Sequence, residues 1–114
     1  MKGYKHGEPL LMRLGRHTLI GDGCWAWTGA KKTGGYGNMW WNGKMCMAHR
    51  MWYEALRGRI PEGLVIDQLC QQESCVNPWH LEAVTQAVNV RRGYGILPRP
   101  EYPTGIEREE RQVA

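Results

Sequence analysis

The chain has 114 residues, enough for one modest hydrophobic core that a staple would help to hold. Fifteen Lys plus Arg against eleven Asp plus Glu give a formal charge of +4 and a pI near 9.0, a balance that leans toward a polyanionic partner and equally suits a slightly basic soluble protein. No apolar run approaches bilayer length, and the start Met1-Lys2-Gly3-Tyr4-Lys5-His6 leads into no apolar signal-peptide core, so a membrane role has no support and the four cysteines point to metal rather than to secreted disulfides.

Residues 1–22 read as an arm that covers the core. Leu10, Leu11 and Leu14 suit one face of a short helix between Pro9 and Gly15, while His6 and His17 sit among polar neighbours as surface histidines. From Cys24 the pattern turns to β, with Trp25 and Trp27 alternating with small residues. A hairpin is predicted over 36–48, because Asn42-Gly43 is the preferred pair for a type I′ turn, in which both central residues need positive φ. His49 to Arg57 reads as a helix with Met51, Trp52, Ala55 and Leu56 on one stripe and Gly58 just past its end. Leu64-Val65-Ile66 is a short buried strand that delivers Asp67 at its end. Asn77-Pro78 starts a single helical turn ending near His80, Leu81 to Val84 alternates as a second strand, and Thr85 caps a last helix, Gln86 to Arg92, closed by Gly93. The six tryptophans and the strand at 64–66 are the expected core. Residues 98–114, with three prolines and the run Glu107-Arg108-Glu109-Glu110-Arg111, read as an extended tail.

The stretch from Ile66 to Asn89 packs an acidic residue, a Cys-x4-Cys pair, an Asn-Pro helix start, a histidine and a distal asparagine into one short span. Asp67-Gln68-Leu69-Cys70, Cys75-Val76-Asn77-Pro78, His80-Leu81-Glu82 and Asn89 resemble the core of the homing-type HNH endonucleases, small nucleases of the ββα-metal fold. Gly23-Cys24-Trp25-Ala26-Trp27-Thr28-Gly29, Gly35-Tyr36-Gly37, Ala48-His49-Arg50 and Gly63-Leu64-Val65 resemble the same family in the same order, so the resemblance covers residues 23–93. It implies an α+β protein with a ββα-metal (His-Me finger) core, an N-terminal hairpin and helix, and a structural zinc. The HNH domain then spans 23–97, between the arm at 1–22 and the tail at 98–114.

The resemblance assigns Asp67 and Asn89 to a catalytic magnesium or manganese ion, and their carboxylate and amide oxygens are ligand types that suit such hard cations. It makes position 68 the general base and His80 the residue that fixes the loop carrying that base. Where the family has histidine, this chain has Gln68. An amide takes up no proton near neutral pH, and losing a general base typically costs on the order of 100- to 10,000-fold in rate. An inactivating substitution and a natural residue of a domain that cuts poorly both account for Gln68; takeover of the base role by His80 is a third account.

Cys70 and Cys75 have the spacing of a structural zinc knuckle. Cys24 and His49 are the expected partners, since Ala48-His49-Arg50 belongs to the shared pattern, with Cys46 as the alternative fourth ligand. Lys31, Lys32, Lys44, Arg50, Arg57, Arg59, Arg91 and Arg92 are the candidates for DNA phosphate contact, Arg91-Arg92 first because they follow Asn89 on its helix. The function expected is a metal-dependent DNA endonuclease, nicking or cutting both strands, impaired or inactivated by Gln68 and acting in a cytoplasm, that of the host if the chain is phage-borne. A homodimer would serve two-strand cutting. The opposing reading is a non-catalytic, zinc-stabilised DNA-binding module.

Overall fold

A computed structural model describes residues 8–104; His6 and the charged run at 107–111 lie outside the described residues. The order is α1 (Leu10–Arg16), β1 (Thr18–Leu19), β2 (Ala26–Trp27), β3 (Asn38–Trp41), β4 (Lys44–Met47), α2 (Ala48–Arg57), β5 (Val65–Gln68), a 3-10 turn (Pro78–His80), β6 (Leu81–Val84) and α3 (Gln86–Gly93). Among the described residues the architecture is α+β: three helices among three two-stranded antiparallel sheets, β1-β2, β3-β4 and β5-β6.

The hairpin forms where Asn42-Gly43 places it. Both turn residues have positive φ, 52° and 79°, and Trp41 pairs with Lys44 across the turn. Met39 faces inward, while Trp40, paired with Met45, faces out. α2 follows β4 directly and ends at Gly58, whose φ of 102° suits glycine. Its buried side is Ala48, His49, Met51 and Trp52; Ala55 and Leu56, expected on the same stripe, are exposed because the last turn runs beyond the core.

The core joins Leu14, Trp27, Met39, Ala48, Met51, Trp52 and Val76, so the short helix of the arm does cover it. Trp52 donates its indole N–H to Thr18 Oγ1 at 3.1 Å, and Thr18 in turn donates to Leu14 O, which ties α1, β1 and α2 together without orphaned polar groups. His17 is half-buried with its ring 5.6 Å from that of Trp27, rather than a free surface histidine. The core is narrower than expected. Trp40 and Trp79 are 47% and 49% exposed, and Leu64, Val65 and Ile66 are only half-buried, because β5 pairs on one edge alone and is covered by a single short helix.

β5 and β6 pair in full register, Asp67 opposite Glu82 and Gln68 opposite Leu81. Asn77 caps the 3-10 turn by accepting from Trp79 N at 2.9 Å, and Thr85 Oγ1 caps α3 by accepting from Val88 N at 3.2 Å. Gly93 is the last residue of α3 rather than its stop; the left-handed position falls on Gly95, φ 76°. Residues 98–104 form neither helix nor strand, and they fold back onto the β5-β6 region.

Candidate functional site

Two backbone bonds set the first cluster. Trp27 N donates to Ser74 O and Val76 N to Trp25 O, so the segment after Cys24 lies antiparallel to the segment around Cys75. Asn77 Nδ2 donates to Gly23 O at 2.7 Å and fixes the other side of Cys24. Between Cys70 and Cys75 the chain reverses through Gln71, at φ 59°, and Leu69 N donates to His80 O, which brings the 3-10 turn beside the loop.

Cys24, Cys70, Cys75 and His80 are thereby gathered, with their ligand atoms all within 4.8 Å of one another. The sulfurs of Cys24 and Cys75 each lie 3.6 Å from His80 Nδ1. A tetrahedral zinc ion with bonds of about 2.3 Å to sulfur and 2.0–2.1 Å to nitrogen separates the two atom types by about 3.6 Å, so the group has the size of a zinc site. His80 Nε2 donates to Pro103 O, which leaves Nδ1 with its lone pair toward the sulfurs, the arrangement typical of a metal-bound imidazole. Tyr102 packs edge-on against the same ring at 4.7 Å. The three thiols lie close enough to act on one another. The neighbouring Cys75 sulfur, then burial, push the Cys70 thiol far up, the Cys70 thiol beside it lowers Cys75, and burial raises Cys24.

The fourth group is therefore His80, not the expected His49 or Cys46. His49 lies buried in the first turn of α2, its ring 6.0 Å from Tyr36 and its Nδ1 without a hydrogen-bond partner. Burial, then the charges of Arg50 and Lys32, lower its pKa to about 4. Cys46 stays in the hairpin, its thiol near the carbonyls of Trp41 and Lys44.

The second feature is a cavity of about 340 Å³ whose lining includes Tyr36, Asp67, Gln68, Glu73, Asn89 and Arg99. Asp67 and Asn89 thus share one space. Asp67 is 4% exposed and meets two guanidinium groups: Arg92 Nη1 donates to Oδ2 at 3.0 Å, and Arg99 Nε donates to Oδ2 and Oδ1 at 3.2 and 3.3 Å. A carboxylate has about four acceptor positions, and these bonds leave room for one more ligand. The same Arg92 nitrogen donates to Glu82 at 2.7 Å, which holds the guanidinium still more firmly charged. Gln68 is not free in the cavity: its Nε2 donates to Glu73 O and Cys75 O, both at 3.0 Å, and so braces the loop of the cysteine cluster.

The basic residues divide. Lys31, Lys32 and Arg91 are exposed. Arg50 lines a different and larger cavity, about 670 Å³, beside the hairpin. Arg92 is consumed by its two carboxylates, which makes it an internal tie rather than the expected phosphate clamp.

Comparison with known proteins bears on this arrangement. Residues 46–91 match the HNH endonuclease family. The matched segment includes Asp67, Gln68, Cys70, Cys75, His80 and Asn89, whereas Cys24 and Arg99 lie on either side of it. Among curated proteins the chain is similar to "Protein 7.7" of Escherichia phage T7, 38% identical over 68 residues that make up 60% of this chain and 52% of the relative. It is also similar to "Protein 2.8" of the same phage, 35% identical over 84 residues, 72% of this chain and 55% of the relative. The chain spans about half the length of these relatives. No solved structure matches it. Among the described residues no helix is long and apolar enough to cross a membrane.

Sequence reasoning missed the tail's part in the site. Arg99, Tyr102 and Pro103 all reach it, and no spacing or motif announces them; only an arginine set between prolines in a segment otherwise poor in apolar residues marks the place.

Proposed function

We propose that the chain is an HNH-type, metal-dependent DNA endonuclease whose ββα-metal core is β5, β6 and α3, stapled by zinc on Cys24, Cys70, Cys75 and His80. The observation that carries this reading is that Asp67, Gln68 and Asn89, from two different elements, line one cavity beside a four-ligand cluster. Asp67 and Asn89 are the residues that would hold magnesium or manganese, an ion that supplies charge neutralisation at a phosphodiester and acidifies a water. This chain's own residues do the rest. Arg92 orients Asp67 by donating to it and to Glu82 of β6 from one nitrogen, and the zinc cluster fixes the loop that closes the cavity. Gln68 orients groups but accepts no proton, so the base is missing.

The test is Gln68→His. Histidine at this position keeps one donor for the loop carbonyls and presents a second ring nitrogen to the cavity. Nicking of supercoiled plasmid with magnesium or manganese is the expected gain, absent in the Gln68 protein. No nicking by a zinc-replete Gln68→His protein overturns the enzyme reading.

The second reading, a non-catalytic zinc-stabilised DNA-binding module, is favoured by one observation: both amide hydrogens of Gln68 are used by the loop, so the residue serves as a brace in its own right.

A further inference from the structure

We propose that Arg99 is a phosphate-binding residue of this cavity, delivered by the tail and aimed by Asp67. The inference rests on the DNA reading above and assigns a contact to a residue outside the HNH segment.

The two arginines at Asp67 are not equivalent. Arg92 uses one terminal nitrogen for two carboxylates, and its Nε is buried without a partner. Its side chain is 11% exposed and is held by Asp67 of β5 and Glu82 of β6. Arg99 is the reverse. It is anchored only through Nε, on both oxygens of Asp67, and its Nη1 and Nη2 carry no hydrogen bond among the described residues. Its side chain is 20% exposed, and it lines the cavity together with Asn89 and Gln68.

A guanidinium presents its donors in a rigid plane, so fixing Nε on a buried carboxylate orients the terminal pair. That pair is the edge that binds phosphate oxygens in a fork. The anchor is itself held, because Asp67 is on a paired strand and takes a second bond from Arg92. The tail is held too: the His80 bond to Pro103 O and the Tyr102 ring contact pin the residues just beyond Arg99 to the cysteine cluster. A side chain with little freedom left to lose binds an anion at small entropic cost.

The experiment measures binding of a labelled duplex oligonucleotide by fluorescence anisotropy across a salt series, for the unaltered protein, Arg99→Gln and Arg99→Lys. Each phosphate contact contributes about 0.9 to the slope of log affinity against log salt. Arg99→Gln is expected to flatten that slope by about one contact and to weaken binding several-fold at low salt, with zinc content unchanged. Arg99→Lys keeps the charge but loses the fork, so it is expected to keep the slope and bind more weakly. Parallel lines of equal affinity for Arg99→Gln overturn the proposal, as does full affinity in Arg99→Lys should Arg99→Gln fail to fold. If the unaltered protein binds no DNA, the DNA reading falls and this one with it; if it binds and Arg99→Gln changes nothing, the role of Arg99 alone is lost.

Discussion

Outside the cysteine cluster, Asp67 and His49 are buried titratable side chains whose surroundings decide what they do. Asp67 neutralises Arg92 and Arg99, so Asp67→Ala leaves two cations facing each other in a poorly solvated place. Removing one partner of such a pair typically costs 3–5 kcal/mol, and since Arg99 keeps some water a loss of roughly 3 kcal/mol is expected, read by denaturant unfolding. Asp67→Asn in the Gln68→His protein is expected to abolish nicking without so large a loss. His49 has its pKa lowered from 6.5 to about 4, so it stays neutral in the fold while the unfolded chain protonates. Its contribution is fully present above pH 6.5 and is lost as pH falls toward 4, about 3 kcal/mol in all. His49→Gln is expected to make the fall in melting temperature across that window shallower, and an unchanged pH profile counts against the buried neutral histidine. The place of Asp67, buried at the end of β5 and lining the cavity with Asn89, was legible from the Asp-Gln-Leu-Cys motif. That of His49 was not, because one histidine near a helix start reads the same whether it binds metal or packs against a tyrosine; only the chain path decides, and here it carries His80 to the sulfurs instead.

At the scale of elements, the parts with local chemistry were readable: the Asn42-Gly43 hairpin, the Asn77-Pro78 turn and the Thr85-capped helix each carry their own instruction. β1 was not readable, being two residues long and existing only because β2 pairs with it. The family-like glycines gain a reason from Trp27. A Cβ on Gly37 would lie 2.3 Å from Trp27 Cδ1, and one on Gly29 would lie 2.9 Å from Cε2, so the buried indole is slotted between two stretches of bare backbone. Its N–H is satisfied by Ala30 O at 2.9 Å, which leaves the ring no freedom to move aside. Gly37→Ala is therefore expected to destabilise by about 2 kcal/mol or more, lowering the melting temperature by several degrees. An unshifted melting curve rules out this packing.

For the molecule as a whole, the cysteine cluster joins pieces that share little apolar contact: the strand after Cys24, the loop from Cys70 to Cys75, and the 3-10 turn. One zinc per chain is the expected content by elemental analysis, and a strong chelator is expected to unfold or loosen the protein, whereas withdrawing magnesium is expected to leave the fold intact. Because thiols must lose protons to bind, zinc retention is expected to fall in acid. The returning segment 98–104 touches the cluster through Tyr102 and Pro103 and the acidic cavity through Arg99. Thermodynamic reciprocity then applies: if an oligonucleotide steadies that strap, zinc at the Cys24, Cys70, Cys75 and His80 cluster is expected to bind more tightly, by the same factor that the ion contributes to oligonucleotide affinity. An equilibrium competition for zinc against a chelator of known affinity, run with and without DNA, reads this coupling directly.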